Sequence, residues 1–332
     1  MASRPTVLLL PQEPLFSQLF PRTVMDRLRS FAEVVDRREG PGWDAASLTQ
    51  ALASSDACVT GWGSPKLTGE VVGPSPRLRI LAHAAGTIRP VASQELFDRG
   101  IVVSTAHDVI ARYVGEMTLG LAIAGLRGLP QQDRKLRGKE GDVPLWEPEE
   151  LFEKVVGLVG LGSTARHFLR LLRPFDCLVL AFDPYVDPAT ASELGVQLLP
   201  LAQVLTQSRV VSLHAASVPE TRHLVDRMAL SRMQNGALLI NTGRPALLDQ
   251  EALVDELSAG RLRACLDVTD PEPLPPDHIL LRLPNVMVTP HTAGPTPGRR
   301  WEMGAFAVEE LHRFFSGQPL EGPAQPWGLR ME

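Results

Sequence analysis

Short apolar runs that alternate with longer, helix-like stretches are the feature that most constrains the fold of this chain. In the N-terminal third these runs are Thr6 to Leu10, Ala57 to Thr60, Leu78 to His83 and Ile101 to Ser104. A second series has strand cores at Val155–Val159, Leu178–Phe182, Val210–His214, Ala237–Asn241, Ala264–Val268 and Val286–Thr289. Mostly uncharged strands separated by helices are typical of parallel sheets that are covered on both faces. The sequence therefore predicts an α/β fold built from βαβ units.

The length of 332 residues exceeds what one ordinary core holds, so two domains are expected. A long helix is predicted from Val109 to Gly125, where apolar residues recur at three and four positions. An exposed excursion, rich in Lys, Arg, Gln, Gly and Pro, is predicted from Arg127 to Pro148. A last helix is predicted at about Arg299 to Phe315. Glycines and prolines after it indicate a loose tail.

Charge and cysteine content exclude several classes of function. The formal net charge of −5 argues against nucleic acid as the main partner. The apolar runs, such as Val155 to Leu161, are too short to span a membrane, and residues 1–11 indicate a first strand and not a signal peptide. The three cysteines form no CxxC pair, so we expect no metal site, no disulfide framework and a reducing, cytoplasmic location. They are Cys58, Cys177 and Cys265.

A glycine-rich turn follows the first strand of the second series. The strand leads into Gly160-Leu161-Gly162-Ser163-Thr164-Ala165, after which a helix is predicted. Gly160 permits a tight turn, Gly162 lets the backbone approach a pyrophosphate, and Ala165 allows close packing of helix on strand. The start of the helix, at Ser163 and Thr164, offers N–H groups and a positive dipole end to phosphates. This pattern predicts a dinucleotide site.

An acidic residue ends the next strand, 18 residues after Ala165, at Asp183. A carboxylate there accepts hydrogen bonds from both ribose hydroxyls and repels a 2′-phosphate, which favours NAD over NADP. The alternative is a structural strand–turn–helix with an incidental Asp. The order of strand, glycines, helix and acid favours the cofactor site.

Three residues with acid–base or anion-binding side chains follow later strands. Arg244 comes after Asn241-Thr242-Gly243, Glu272 lies in Asp267–Pro273, and His291 lies in Thr289–Gly294. Ligands of open α/β sheets bind beyond the carboxyl ends of the strands, so we expect these side chains in one crevice. Any one of them alone has the alternative of a salt bridge or a cap.

The chemistry of a 2-oxo acid calls for these three residue types. Arg244 presents a planar fork that binds a carboxylate or polarises a ketone. Addition of hydride to the ketone carbon builds an alkoxide, and His291 is the side chain suited to protonate it near neutral pH. Glu272, bonded to that histidine, favours its charged form and orients the ring. Reduction of a small 2-oxo acid is therefore predicted.

These motifs together resemble the D-isomer-specific 2-hydroxyacid dehydrogenase family over Val155 to Gly294. The stretch Asp267 to Pro275 is most similar to glyoxylate/hydroxypyruvate reductases, and phosphoglycerate dehydrogenase-type members also match. The resemblance implies two Rossmann-like, doubly wound parallel-sheet domains, the second inserted in the first. Residues 1–108 with 299–332 would form a flavodoxin-like substrate domain, and 109–298 the NAD-binding Rossmann domain. Homodimers through residues near 109–148 are also implied.

The resemblance also implies roles for individual residues. Arg244, Glu272 and His291 match the catalytic triad of the family. Gly86 and Thr87 match the loop whose backbone N–H groups bind the substrate carboxylate, together with Arg244. The positions expected to contact NAD, with Asp183 on the adenosine ribose and Asp267 on the nicotinamide, are Gly160, Gly162, Ser163, Thr164, Asp183, His214, Thr221, Thr242, Gly243, Asp267 and Gly294.

The sequence departs from the family pattern at a few positions. Pro245 replaces a glycine and confines Arg244 to extended backbone conformations. The substrate loop, Ala85 to Arg89, and Ile110 are unusual and bear on which acid is bound, with a glyoxylate- or hydroxypyruvate-like acid expected. One alternative is an NAD(H)-sensing, corepressor-like scaffold without turnover. Another is formate or phosphite oxidation, although formate dehydrogenases carry Gln in place of Glu272.

Overall fold

The chain forms two α/β units, one of which interrupts the other in sequence. The computed structural model describes residues 4–38, 42–73, 75–138 and 146–331. The first unit joins the N-terminal part of the chain, through Ile110, to Pro295–Met331, and the second comprises Ala111–Gly294. The sequence placed these two boundaries after residues 108 and 298.

The first unit contains a five-stranded parallel sheet. Its strands are β1 (Thr6–Leu9), β2 (Glu33–Asp36), β3 (Ala57–Thr60), β4 (Ile80–His83) and β5 (Val102–Thr105). The helices between them are α1 (Leu15–Leu19), α2 (Arg22–Phe31), α3 (Ala45–Ala53), α4 (Gly69–Val72) and α5 (Gln94–Asp98). The strand order β2-β1-β3-β4-β5 is that of flavodoxin-like sheets.

The second unit contains a seven-stranded parallel sheet. Its strands are β6 (Val155–Val159), β7 (Leu178–Phe182), β8 (Gln197–Leu198), β9 (Val210–Leu213), β10 (Leu238–Asn241), β11 (Arg263–Leu266) and β12 (Val286–Val288). The helices are α6 (His107–Arg127), α7 (Leu129–Leu136), α8 (Ser163–Leu172), α9 (Pro188–Leu194), α10 (Leu201–Gln207), α11 (Arg227–Ser231) and α12 (Gln250–Ser258), and α13 (Trp301–Phe315) returns to the first unit. The order β12-β11-β10-β9-β6-β7-β8 reverses between β6 and β9, as in Rossmann folds. The predicted fold class is confirmed.

Each sheet has a hydrophobic core on both faces. Successive side chains of a strand point to opposite faces. Val7 and Leu9 of β1 therefore pack with α1, α2 and α13, whereas Leu8 packs with α3 on the other side. In the second unit Leu239 and Ile240 of β10 likewise belong to different clusters. Burial on both faces explains why the strands read as uninterrupted apolar runs.

Two strands and one helix were not predicted. Strand β2, Glu33–Asp36, lies at a sheet edge and alternates exposed and partly buried residues, so it lacks an apolar run. Strand β8 has only two residues. The excursion predicted from Arg127 to Pro148 contains α7, and its residues 139–145 lie outside the described part of the chain.

The C-terminal tail is ordered against β5, so the prediction of a loose tail is wrong. The N–H of Thr105 donates to the Gly322 carbonyl, and the N–H of Ala324 donates to the Val103 carbonyl, both at 2.8 Å. The fully buried carboxylate of Glu310 accepts hydrogen bonds from the N–H groups of residues 321 and 322 and from the Ser104 hydroxyl. The buried carboxylate of Glu310 in α13 thus holds the tail in place. The glycine and proline content of the tail did not reveal this contact.

Helix α6 is long and apolar enough to cross a membrane by length and composition, with a mean hydropathy of 1.4 in its most apolar window. The prediction of no spanning segment rested on shorter apolar runs. One row of this helix is buried within the protein, as in the core helix of a folded domain. The row consists of Ala111, Gly115, Thr118, Leu121, Ala122 and Leu126.

Close packing of α13 on α1 yields a prediction. A Cβ added at Gly304 would lie 2.0 Å from the Leu19 carbonyl oxygen, whereas one added at Gly298 would have nothing within 4 Å. Because main-chain atoms cannot easily yield, Gly304→Ala should lower the free energy of unfolding by about 1–3 kcal/mol or more. Thermal and urea unfolding should show a clear loss for Gly304→Ala and none for Gly298→Ala. Equal stability of the two variants would contradict this packing.

Candidate active site

The turn between β6 and α8 has the geometry that a bound dinucleotide requires. Gly160 has a φ of 95°, and a Cβ there would lie 2.5 Å from the backbone nitrogen of Ala215. Only glycine fits this position. A Cβ on Gly162 would meet nothing within 4 Å, so the backbone is open to a ligand on that side. Ala165 is fully buried, as close packing of helix on strand demands.

The N-terminus of α8 carries no side-chain cap. Gly162 precedes the helix in an extended conformation and has no side chain to accept from the first turn. The N–H groups of that turn, which includes Ser163 and Thr164, and the dipole of the ten-residue helix favour an anion at this end. The site therefore fits the pyrophosphate of a dinucleotide.

Asp183 lies directly over the glycine turn. Its Oδ2 accepts a hydrogen bond from the N–H of Leu161 at 2.8 Å, and its Oδ1 accepts one from the N–H of Tyr185 at 2.9 Å. Each carboxylate oxygen has a second lone pair available. The predicted ribose acceptor is thus fixed in place by the loop that would hold the phosphates.

His214 and Thr221 occupy the loop after β9. Both ring nitrogens of His214 are buried and have no hydrogen-bond partner among the described residues. Burial lowers the pKa of His214 to about 4, so the ring is neutral and packs near Phe168. The Thr221 hydroxyl donates to the Ala216 carbonyl and accepts from the Val218 N–H. These contacts shape the loop, and direct contact with NAD stays a prediction for both residues.

The turn after β10 is held by the side chain of Asn241. Its Oδ1 accepts from the N–H of Gly243, and its Nδ2 donates to the carbonyl of Arg244, each at 3.0 Å. Thr242 is buried, with its hydroxyl 3.0 Å from that of Thr118 in α6. Arg244 has φ −141° and ψ 145°, the extended conformation expected before Pro245. The turn thereby presents the arginine side chain at the strand end.

The structure brings Arg244, Glu272 and His291 together. The Nδ1 of His291 lies 2.5 Å from Oε1 of Glu272, and both side chains remain partly exposed, at 49% and 37%. Burial lowers the pKa of Arg244, and the negative charge of Glu272 opposes that shift. Glu272 therefore interacts with both the histidine and the arginine. The three side chains were predicted to meet, although they come from three different loops.

Asp267 organises the loop that carries His291. This side chain is 1% exposed and accepts hydrogen bonds from the Thr289 hydroxyl, the Thr292 N–H and the Ala293 N–H. The N–H of His291 donates to the Asp267 carbonyl at 2.9 Å. His291 itself has a φ of 53°, which the loop must impose. Asp267 thus fixes the backbone as far as Ala293, next to Gly294, and the predicted contacts of Asp267 and Gly294 with NAD stay predictions.

Sequence reasoning missed Gln250, which fixes the loop that carries Glu272. Its Oε1 accepts from the N–H of Asp270 at 2.9 Å, and its Nε2 donates to the carbonyl of the same residue. Gln250 is the first residue of α12, after the N-cap residue Asp249, and nothing in the local sequence links it to residue 270. Thr118 was missed as well, because nothing in the pattern of α6 distinguishes it from a core residue.

In the first unit, the predicted substrate residues Gly86 and Thr87 follow β4. They are partly exposed, whereas their neighbours Ala85 and Ile88 are buried. The Ala85 carbonyl accepts a hydrogen bond from the Ala106 N–H at 3.0 Å. The loop is therefore anchored on both sides of a short accessible segment. Over residues 4–38, 42–73, 75–138 and 146–331, no cluster of His, Cys, Asp or Glu fits a metal ion.

Comparison with known proteins matches residues 119–293, more than half of the chain, to the model of the D-isomer specific 2-hydroxyacid dehydrogenase NAD binding domain. A D-3-phosphoglycerate dehydrogenase of Methanocaldococcus jannaschii is 28% identical over 89% of this chain and 56% of its own. A glyoxylate reductase of Thermofilum pendens is 31% identical over 91% of each chain. The crystal structure of a phosphoglycerate oxidoreductase from Rhizobium etli is 27% identical, with a TM-score of 0.79 over 97% of this chain and 99% of that one.

The chain spans little more than half the length of the phosphoglycerate dehydrogenases that it matches and most of the length of the glyoxylate reductases. Both kinds of relative match regions on either side of the NAD binding domain as well. The chain therefore belongs to the D-isomer specific 2-hydroxyacid dehydrogenase family, as its motifs predicted, and its second unit carries that family's NAD binding domain.

Proposed function

We propose that this protein transfers a hydride between NAD(H) and a small 2-oxo acid or the corresponding D-2-hydroxy acid. The observation that carries the proposal is the His291–Glu272 pair at 2.5 Å, with Arg244 interacting with the same glutamate, in a unit built to bind NAD. The alternative, a scaffold that only senses the nucleotide, predicts no turnover. An assay of NADH oxidation with a panel of 2-oxo acids tests the proposal directly.

Different residues of this chain bind the cofactor, bind the acid and transfer the proton. NAD(H), when bound, would supply or accept the hydride. The glycine turn and the start of α8 would hold its pyrophosphate, and Asp183 would accept hydrogen bonds from the adenosine ribose. Arg244 binds the carboxylate of the acid or polarises its ketone through its planar fork. Its partly buried position strengthens that attraction because water screens it less.

The proton for the developing alkoxide comes from His291. Since Nδ1 of this ring faces Oε1 of Glu272, Nε2 is the nitrogen that donates to the substrate oxygen. Glu272 holds the ring in that orientation and stabilises its positive charge. In the oxidative direction the same nitrogen accepts the proton of the hydroxyl group. Asp267 and Gln250 act as positioning residues. Asp267 fixes the loop that carries His291, and Gln250 fixes the loop that carries Glu272.

The substrate we infer is a small acid of the glyoxylate or hydroxypyruvate kind. The match to glyoxylate reductases over 91% of both chains supports a short acid. Backbone N–H groups at Gly86 and Thr87 suit a carboxylate, which every 2-oxo acid carries.

We also propose a homodimer and a cytoplasmic location. Helix α7 exposes Leu129 and Leu136, at 53% and 89%, which supports coverage of this region by a second copy. All three cysteines are free thiols, which suits a reducing compartment. Sedimentation or light scattering of the purified protein tests the dimer.

The position of Asp183 predicts a strong preference for NADH over NADPH. Its carboxylate, fixed over the glycine turn, would repel a 2′-phosphate. The kcat/KM for NADH should exceed that for NADPH by at least roughly tenfold, the equivalent of about 1.4 kcal/mol. Asp183→Ser removes the negative charge and should therefore reduce the ratio of kcat/KM for NADH to kcat/KM for NADPH. Equal kcat/KM for the two cofactors in the wild-type protein would refute this assignment.

Loss of the proton donor should slow the reaction without loss of cofactor binding. His291→Asn should lower kcat by roughly 10²–10⁴, the range for general acid–base catalysis. Asparagine tolerates the left-handed backbone of this position. NADH affinity, measured by fluorescence titration, should stay near the wild-type value because the phosphate and ribose contacts lie elsewhere.

A matched control for this variant exists in the same unit. His223 is exposed and also left-handed, with a φ of 49°. His223→Asn therefore makes the same chemical change in the same backbone conformation and should retain full kcat. Full activity of His291→Asn on the acid that the wild-type protein reduces would overturn the mechanism.

A further inference from the structure

A buried histidine and a buried threonine meet where β3 and β4 end. Thr60 and His83 are register partners, each the last residue of its strand. The Thr60 hydroxyl lies 2.8 Å from Nδ1 of His83, and the two residues are 0% and 3% exposed. Neither residue has a part in the function derived above. A buried polar pair at the carboxyl end of a sheet is costly unless its partners are well placed.

The second partner of the imidazole lies in the substrate loop. A hydrogen bond with the backbone of Thr87 favours the protonated ring, so the ring is the donor and the Thr87 carbonyl the acceptor. Burial outweighs this bond and lowers the pKa of His83 to about 4. The ring is therefore neutral near pH 7, with one nitrogen accepting from Thr60 and the other donating to Thr87.

The rest of the loop is anchored at its two ends. The Ala84 N–H donates to the Thr60 carbonyl at 2.8 Å, and the Ala106 N–H donates to the carbonyls of His83 and Ala85. On the far side, Ile88 is 2% exposed and packs beside Gly328 of the ordered tail. The segment between these anchors, Gly86 and Thr87, is partly exposed, and the His83 ring bonds its backbone at Thr87.

We propose that His83 is a positioning residue, which with Thr60 fixes the peptide planes at Gly86 and Thr87 for recognition of the substrate carboxylate. The Thr87 carbonyl shares a planar peptide group with the Ile88 N–H, so a bond to this carbonyl sets the orientation of that group. It also restrains the preceding Gly86–Thr87 group, which carries the Thr87 N–H. The uncharged ring leaves recognition to backbone N–H dipoles. This inference rests on the proposed function and adds to it the element that shapes the carboxylate subsite.

Thr60→Val tests the inference because valine keeps the shape of threonine and removes the hydroxyl. The KM for the best 2-oxo acid should rise by roughly three- to tenfold, the worth of one hydrogen bond. The kcat should change by less than about threefold, and the Kd for NADH should not change, since the cofactor contacts belong to the other unit. Thr60→Ser keeps the hydroxyl, so its KM should stay near the wild-type value.

Ser55→Ala is the matched control. Ser55 is also 0% exposed, in the same unit, and its hydroxyl donates to the Ala51 carbonyl at 2.8 Å in α3. Its loss should lower thermal stability to a similar extent and leave the KM unchanged. A rise in KM equal to that of Thr60→Val would show a general effect of destabilisation and would overturn the positioning role.

Two changes at His83 separate its two hydrogen bonds. Glutamine places an N–H near the position of the distal ring nitrogen and keeps a donor for Thr87, whereas asparagine reaches only the position of Nδ1. His83→Gln should therefore keep a lower KM than His83→Asn. The reverse order, or an unchanged KM in Thr60→Val with an active wild-type enzyme, defeats this inference alone. Absence of turnover by the wild-type protein on every 2-oxo acid defeats the proposed function and this inference with it.

Discussion

Parallel pairing of every strand is the constraint on which the rest of this molecule depends. A parallel strand can be followed by its neighbour only after the chain has returned along the sheet, and a helix usually makes this return. All carboxyl ends of a sheet consequently lie at one edge. The glycine turn after β6, the Arg244 turn after β10 and the His291 loop after β12 therefore share an edge, although they are separated by tens of residues.

The buried carboxylate of Asp267 orders part of that shared edge. Asp267 accepts hydrogen bonds from residues 289–293 and thereby fixes a histidine whose own backbone is left-handed. At the opposite end of the same sheet, Glu149 is bound by the guanidinium groups of Arg209 and Arg263. Burial raises the pKa of Glu149, but the hydrogen bonds and charges of the two arginines outweigh it and lower the pKa overall. Removal of Glu149 would be costly because the Arg263 side chain, 2% exposed, would lose its carboxylate partner.

Sequence patterns predicted the parts of the molecule that depend on local rules. Apolar runs located ten strands because each run lies within a few residues. The glycine turn with Asp183 located the dinucleotide site because strand, turn, helix and acid follow one another in a fixed order. Strand β2 escaped prediction because an edge strand needs no continuous apolar run. Gln250 and Thr60 escaped because their roles depend on residues 20 or more positions away, which no local period reveals.

The ordered tail has a consequence for how the first sheet avoids edge-to-edge aggregation. Strand β5 is an outer strand of its sheet, and its free main-chain groups would offer a template for another extended chain. The tail occupies that side through an antiparallel bridge between Ser104 and Pro323, and the proline, which lacks an N–H, cannot extend the ladder outward. Residues 322–324 thus cover the main-chain groups of β5, and a form of the protein without them would expose a sheet edge prone to aggregation.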